Sequence, residues 1–599
     1  MTKLLFVPNL STQRGWGHFY RCVRTASQIG LEAAVLVVKT DTSDAITWEK
    51  SKFSLNDCRL QKTWPLPGEF SAIIVDQQVC SPSLYQRLRT LGAFLVGWDE
   101  GGPHRKDMDY LVDSLPNLAK TLPNLYMPSL ALEEPTFTPP QFSSKVPQNV
   151  LIVFGGGDPK GLTLPTVQAW KKVVDQKSSP LKISLTVVRG PGAQFPRSLA
   201  ESDITLWDNP ENLTSQLAQF DLVLGSWGLT TLEALAKGIP VILAAPTPYH
   251  ARLQHQLGLA TFSPSKPQTL AQALKTCTWK SQAYVNRIKI SGPIAPVFWK
   301  NFLLPPKKDP CCPVCGSIQH RFLARTPEKS YFQCNTCQME YMLPFQLPAK
   351  QYEASYFFED YQRQYGKTYL EDFQAISAMG RARILFSQKW WGSWKGFRLL
   401  DVGCAFGPFL SAAQDVGAEP FGWDISAEAT EYVKTKLGFP AVAEPFPGRK
   451  WEEVFPGMAK PNVVTLWYVI EHFPNLKEVL ESLAEVLPLG GHLALGTPNG
   501  KGISRLFSSQ KFWKISPEDH FTIWNPQNSR QILRKFGFRV DGIRITGHHP
   551  ERFPGIRQTG SRQNGFFFRI IKLLDRWLGW GDTFEIYATK IRTVERNPL

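Results

Sequence analysis

Leu399-Leu-Asp-Val-Gly-Cys-Ala-Phe-Gly-Pro-Phe-Leu410 is the stretch whose reading decides the fold. Two apolar residues lead into Asp401, small residues stand at 403, 405 and 407, and an apolar run follows. A buried strand that ends in a tight turn and opens a helix is written this way. Small residues let the backbone approach a ligand, and the helix N-terminus presents unpaired N–H groups to it. After a second apolar run, Pro420-Phe-Gly-Trp423, Asp424 stands where a carboxylate would grip a ribose. Up to this point a dinucleotide site, or a strand-turn-helix with no ligand at all, reads equally well.

The downstream residues separate these readings. Val463-Val-Thr-Leu-Trp-Tyr-Val-Ile-Glu-His472 predicts a strand carrying Glu-His at its end. Leu487-Pro-Leu-Gly-Gly-His-Leu-Ala-Leu-Gly-Thr-Pro-Asn499 predicts a Gly-Gly turn into another strand. In this order the four segments resemble the class I S-adenosylmethionine (SAM) methyltransferases, specifically the ubiquinone-biosynthesis-like branch, from about Tyr352 to Lys590. The resemblance implies SAM as cofactor, with Asp401, Gly403, Ala405 and Gly407 on its methionine part and Asp424 on the ribose hydroxyls. Ala405 stands where glycine is commoner in the family, and its side chain is small enough to keep binding.

By the same analogy His472 lies beside the methyl donor, and His520, in Pro517-Glu-Asp-His-Phe521, lies on the acceptor side. Either would serve as general base, and the plainer role for each is a hydrogen-bonded histidine that shapes the pocket. The aromatic stretch Tyr356–Tyr369 is similar to the segment that folds over SAM in ribbon-bearing relatives, with Tyr365 as a candidate contact.

Composition bounds the rest. The 599 residues suffice for about three or four domains, and 43% hydrophobic with 20% charged residues describes globular protein rather than disorder. No apolar run approaches the ~18 residues of a membrane span. Thr2-Lys-Leu-Leu-Phe-Val-Pro-Asn9 reads as a first strand rather than a signal peptide, so a cytoplasmic location is expected. A net charge of +16 raises nucleic acid or anionic lipid as partners. The Lys and Arg residues are scattered, however, and phosphorylated substrates favour the same balance, so a nucleic-acid partner is not expected.

The first half alternates short apolar strands with helical patterns, an α/β signature. Gly15-Trp-Gly-His-Phe-Tyr-Arg21 is a glycine loop after the first strand, with His18 near a helix start that disfavours positive charge on its ring. Beyond a proline-rich connection at 134–141, Asn149-Val-Leu-Ile-Val-Phe-Gly-Gly-Gly-Asp-Pro159 runs a strand into three glycines. Phe220-Asp-Leu-Val-Leu-Gly-Ser-Trp-Gly-Leu-Thr-Thr-Leu-Glu233 then predicts strand, turn and helix. Such a turn cradles pyrophosphate on N–H groups while Glu233 accepts from ribose hydroxyls.

Two such units suggest a GT-B-type pair. Together with Trp98–Asp113, these motifs resemble the nucleotide-sugar hydrolase family of the pseudaminic-acid pathway, over roughly residues 1–265; these enzymes cleave a UDP-linked diacetamido-trideoxy-altropyranose. The resemblance implies that His18 deprotonates the attacking water, and that Gly17, Gly156, Gly225, Ser226, Gly228, Thr230 and Glu233 bind the nucleotide sugar. Asn9 replaces the family's usual aspartate and His250 its usual asparagine, which leaves hydrolysis and glycosyl transfer both open. His104 and Asp109 read as structural.

Of ten cysteines, five fall between 311 and 337. Cys312-Pro-Val-Cys315 and Cys334-Asn-Thr-Cys337 form two CxxC pairs that place four thiolates around one ion, as a structural zinc (Zn2+) ribbon requires. Cys311 does not give the two-residue spacing, and free thiols, a redox pair or an iron–sulfur centre are the alternatives. Near the C-terminus, Phe566–Gly579 is an amphipathic run read as a helix packed within the domain or mediating association.

The fold class expected is α/β: two Rossmann-type lobes at 1–140 and 141–300, a linker and zinc ribbon at 301–350, and a methyltransferase domain at 351–599. The function expected is a UDP-sugar hydrolase or glycosyltransferase fused to a SAM-dependent methyltransferase that acts on a sugar or related small molecule. The alternatives are an RNA-modifying methyltransferase and a front half that only docks a nucleotide sugar or glycan.

Overall fold

The computed structural model describes residues 3–9, 17–30, 32–37, 59–134, 142–143, 146–175, 183–190, 193, 204–208, 210, 213–288, 290, 292–302, 310–345, 361, 366–549, 552–553, 570, 573–574 and 577–593. The chain divides into two compact units, Met1–Pro310 and Cys311–Leu599.

The first unit holds two parallel sheets. Strands β1 (Leu4–Pro8), β2 (Ala33–Leu36), β3 (Leu60–Gln61), β4 (Ala72–Asp76), β5 (Phe94–Trp98), β6 (Tyr110–Asp113) and β7 (Leu125–Tyr126) form one, in the order 3-2-1-4-5-6-7. β8 (Asn149–Val153), β9 (Ser184–Arg189), β10 (Ile204–Asp208), β11 (Leu222–Gly225), β12 (Val241–Leu243) and β13 (Ala260–Thr261) form the other, ordered 10-9-8-11-12-13. Their central strands read as unbroken apolar runs because helices cover both faces: every residue of β1, β4 and β5 is buried. The chain order reverses between β1 and β4 in one sheet and between β8 and β11 in the other, and ligands bind open parallel sheets outside the strand ends at such points. The last helix of the unit, Ala295–Lys300, returns to the first sheet, where Trp299 meets Trp98 at 5.5 Å and Phe6 at 6.4 Å between ring centroids.

The second unit opens with an antiparallel hairpin series, β14 (His320–Arg325), β15 (Lys329–Cys334) and β16 (Glu340–Pro344). Its main sheet contains β17 (Arg398–Val402), β18 (Glu419–Asp424), β19 (Ala441–Ala443), β20 (Val463–Trp467), β21 (His492–Pro498), β23 (Phe538–Thr546) and β24 (Thr583–Lys590), ordered 19-18-17-20-21-24-23. β24 runs antiparallel to both β21 and β23. The order reverses between β17 and β20, again at the ends carrying the glycine loop and Glu-His.

The expected ribbon is not isolated from the α/β region that follows it. A short strand, β22 (Thr522–Ile523), pairs with β16 and makes a four-stranded sheet spanning both. Tyr331, Met342, Trp513 and Ile523 form one small core beneath it. The described part of the 566–579 run does not pack into the domain: Leu573 is 67% and Trp577 82% exposed. No helix among the described residues is long and apolar enough to cross a membrane.

Candidate functional site

In the second unit, β17 ends at Val402 and the chain turns through Gly403 and Gly407, at φ of 76° and 79°. A Cβ on Gly403 would lie 2.3 Å from Val469 Cγ2, and one on Gly407 2.7 Å from Leu437 Cδ1. Both positions therefore require glycine twice over, for backbone conformation and for space. Ala405 also sits in the left-handed region, at φ 46°, which explains why glycine is the commoner residue there. Its N–H donates to Asp424 Oδ2 at 2.8 Å, and Ser426 N–H donates to Oδ1 at 2.9 Å, so Asp424 ties the loop to the end of β18. Burial, only partly offset by these N–H donors, raises the Asp424 pKa.

Asp401 accepts from Thr465 Oγ1 at 2.5 Å. Its burial pushes the carboxyl up to about 7, against the smaller opposing effects of Thr465 and Arg383. Tyr369 packs on Phe406 at 6.1 Å and on Tyr361 at 5.1 Å, over the loop formed by Ala405 and Phe406. Among the described residues of the aromatic stretch Tyr369 packs at the loop, and Tyr365 lies outside the described residues.

After β20, a short turn places Glu471 and His472 at the same sheet edge. Thr497 Oγ1 donates to Glu471 Oε2 at 3.0 Å, and burial raises the pKa of this carboxyl. His472 and His520, far apart in sequence, meet edge to face with ring centroids 4.6 Å apart. Asp519 Oδ2 lies 3.3 Å from His472 Nδ1. Burial alone would lower the His472 pKa, but its bond to Asp519 and the charges of Glu471 and Asp519 outweigh this, and the net shift is upward. Burial, then the neighbouring His472, pushes His520 down to about 3, so it stays a neutral imidazole. The cluster thus sets a carboxylate-paired imidazole beside a neutral one, side chains of the kind that can exchange a proton with a bound molecule. The sequence offered Asp519 only as part of the His520 motif; its contact with His472 arises in the fold.

The four paired cysteines converge. Cys312 Sγ lies 3.4 Å from Cys337 Sγ and Cys315 Sγ 3.5 Å from Cys334 Sγ, with all four sulfurs within 4.8 Å of one another. A tetrahedral zinc with bonds of ~2.3 Å separates its sulfurs by about 3.8 Å, so the set fits one ion with no position left for water.

In the first unit the His18 ring meets a carboxylate at the switch point. His18 Nδ1 lies 2.5 Å from Asp76 Oδ1, at the end of the adjacent β4. Arg21, one turn along the same helix, donates to both Asp76 oxygens at 2.6 and 2.5 Å and to Asp99 at 2.6 Å. Burial would raise the Asp76 carboxyl, but Arg21 and His18 outweigh it and hold the group well below the usual carboxylate range. An ionised Asp76 fixes the ring through Nδ1 and leaves Nε2 as the free nitrogen. Sequence reading found His18 and missed its partner, whose only signal was a strand ending in Asp.

A Cβ on Gly17 would lie 3.3 Å from Leu229 Cδ1, so the His18 helix start faces the Gly225–Leu229 turn of the second sheet. Gly225 has no room for a side chain, because a Cβ there would lie 2.4 Å from Val153 O; a Cβ on Gly190 would likewise lie 2.5 Å from Gly156 Cα. Ser226, Gly228 and Thr230 continue this turn into the helix Leu229–Ala236. Glu233 is buried and accepts from Thr214 Oγ1 at 2.8 Å; burial, then Glu133, pushes it up to about 7. His250 opens the helix after β12, bonded to Thr247 Oγ1 at 2.8 Å, and burial lowers its pKa. His104 stacks on Tyr85 at 4.3 Å, and Asp109 accepts from Arg89 and from Leu95 N–H.

A sequence family described as a methyltransferase domain matches residues 360–542. These are the residues that carry the glycine loop, Asp424 and the His472–Asp519–His520 cluster. This region is a class I SAM-dependent methyltransferase. The chain is similar to a ubiquinone biosynthesis O-methyltransferase of Vibrio cholerae, 29% identical over 184 residues that cover 28% of this chain and 70% of that protein. It is also 23% identical over 276 residues to an uncharacterized protein of Methanocaldococcus jannaschii, covering 40% of this chain and 55% of the relative. The chain thus spans little more than half the length of that archaeal protein. A SAM-dependent methyltransferase structure from Archaeoglobus fulgidus covers 39% of this chain and all of its own, at 19% identity and a TM-score of 0.27. SAM fits the methyltransferase loop: two glycines without room for a side chain and a buried carboxylate at the end of β18 are what a closely approaching nucleoside needs.

Proposed function

We propose that the chain is a two-activity enzyme acting on nucleotide sugars or related glycans. Residues 311–599 transfer a methyl group to a sugar or related small molecule. Residues 1–310, read as a GT-B-like pair of lobes, hydrolyse a UDP-sugar or transfer its glycosyl group. SAM supplies an electrophilic methyl on a sulfonium, so the protein's task is alignment and, where the acceptor needs it, removal of a proton. His472, oriented by Asp519, takes that proton; His520 accepts a hydrogen bond from the acceptor; Asp401 and Asp424 hold the donor side. The four cysteines bind a structural zinc.

The observation that carries the front-half reading is the His18–Asp76 pair at the β1/β4 switch point, facing the Gly225–Leu229 turn. There His18 Nε2 deprotonates water or a sugar hydroxyl, and the N–H groups of the turn receive the diphosphate. The test is UDP release from a panel of UDP-sugars by the purified chain. Release that falls by 10²-fold or more in His18→Ala, with UDP binding kept, supports the reading. Neither release nor UDP binding by the wild type would sink it.

One feature favours the RNA-modifying alternative. Gln527, Arg530, Gln531, Arg534, Lys535 and Arg592 line a hollow of about 480 Å³ with four cationic side chains. That reading predicts RNA affinity falling steeply with salt and no response to UDP-sugars.

A further inference from the structure

We propose that the four-cysteine module is the positioning frame of the acceptor wall, holding Asp519 and His520 against His472. This rests on reading the His472–Asp519–His520 cluster as the acceptor pocket. Residues 516–521 form no helix or strand and lie between the helix Ser509–Ile515 and β22. Both ends of that segment are tied to the module. At one end Lys329 Nζ donates to Ser516 O, and at the other Met342 N–H donates to Phe521 O at 2.9 Å. β16 then pairs with β22, Glu340 opposite Ile523 and Tyr341 opposite Thr522.

Further contacts surround these ties. Tyr331 packs on Trp513 at 4.6 Å, and Glu340 forms an ion pair with Arg505, whose second N–H group reaches Oε1 at 3.2 Å. The Cys334–Cys337 knuckle is the turn that joins β15 to β16. A metal clamped there fixes the strand that holds the segment after His520. Metal binding therefore sets how closely Asp519 and His520, which belong to neither knuckle, approach His472. The groups facing His472 are Glu471 on its own turn and Asp519 and His520 on the tethered segment; Lys329 acts on His520 from the module.

The experiment uses the full chain with its zinc content measured. Amide hydrogen exchange of peptides covering 516–523 and 399–410 is compared between wild type, Cys334→Ser and Lys329→Met, with S-adenosylhomocysteine (SAH) titrated into each. A pH profile of C2-proton exchange at His472 is recorded in parallel. The expected result for Cys334→Ser is loss of zinc and at least tenfold faster exchange of 516–523. SAH affinity and the 399–410 peptide stay within about twofold, and the His472 midpoint moves down as Asp519 withdraws. Lys329→Met keeps its zinc and shows a smaller change of the same kind, and it reports on the tie even where Cys334→Ser fails to fold. Unchanged 516–523 exchange in both variants overturns the proposal. Loss of SAH binding in step with that exchange also overturns it, because the module would then support the whole domain. A wild type that binds no SAH removes the methyltransferase reading itself, a failure distinct from both.

Discussion

Asp401, proposed for the donor site, carries a buried carboxyl whose ionisation opposes stability. Buried, its carboxyl titrates at about 7, above the usual carboxylate range. A folded pKa above the unfolded one means that the folded state binds the extra proton; the stability this supplies is complete below about pH 4 and is lost as pH rises through 7. Asp401→Asn keeps an acceptor for Thr465 and removes the titration. Without ligand, the variant is expected to match wild type near pH 4 and to exceed it by roughly 2–4 kcal/mol at pH 8, read from denaturant melts. SAH affinity should move the other way, falling at least tenfold at pH 8 by calorimetry, because the ligand's ammonium loses its counter-charge. Equal affinity in the variant would remove Asp401 from the donor site. The residue types were legible here, since Asp401 stands in the quoted motif, but its pKa was not, because the burial that raises it, and the Thr465 and Arg383 contacts that partly oppose that rise, are products of the fold.

At the scale of elements, the strand-turn-helix after β17 is the most constrained piece of the site. Gly403 combines a left-handed φ with a Val469 methyl group where its Cβ would be. Gly403→Ala must therefore shift the backbone or push Val469, the residue that leads into Glu471 and His472. Overpacking costs ~1–3 kcal/mol and the left-handed backbone ~1–2 kcal/mol more, so the melting temperature should fall and SAH binding should be lost. An unchanged SAH titration would show that the loop is not the donor site. The antiparallel elements were less legible. β22 has only two residues, and no periodicity in that stretch signals pairing with a strand almost two hundred positions earlier. The cluster of four cysteines was visible in the sequence; the pairing of β16 with β22 was not.

For the whole molecule, the division at Pro310 and Cys311 predicts separability. Residues 1–310 and 311–599, produced as separate chains, should each unfold cooperatively. SAH should raise the melting point of the second piece alone and UDP that of the first alone, each in proportion to affinity and concentration. A 311–599 piece that fails to bind SAH would show that the methyltransferase depends on the front half.

What the sequence determined by itself is local: glycines where a backbone must turn or come close, apolar runs where a strand is covered on both faces, CxxC pairs that bring four cysteines together. These signals lie within a few residues of one another and follow from sterics and ligand geometry. Only the tertiary structure decided the partnerships. Asp76 reaches His18 because β4 lies beside β1, and Asp519 reaches His472 because the wall of β22 is brought to the end of β20. A carboxylate at a strand end looks the same in sequence whether it faces water or a histidine. The sheet order, which buries one and pairs the other, is set by the packing of the whole unit.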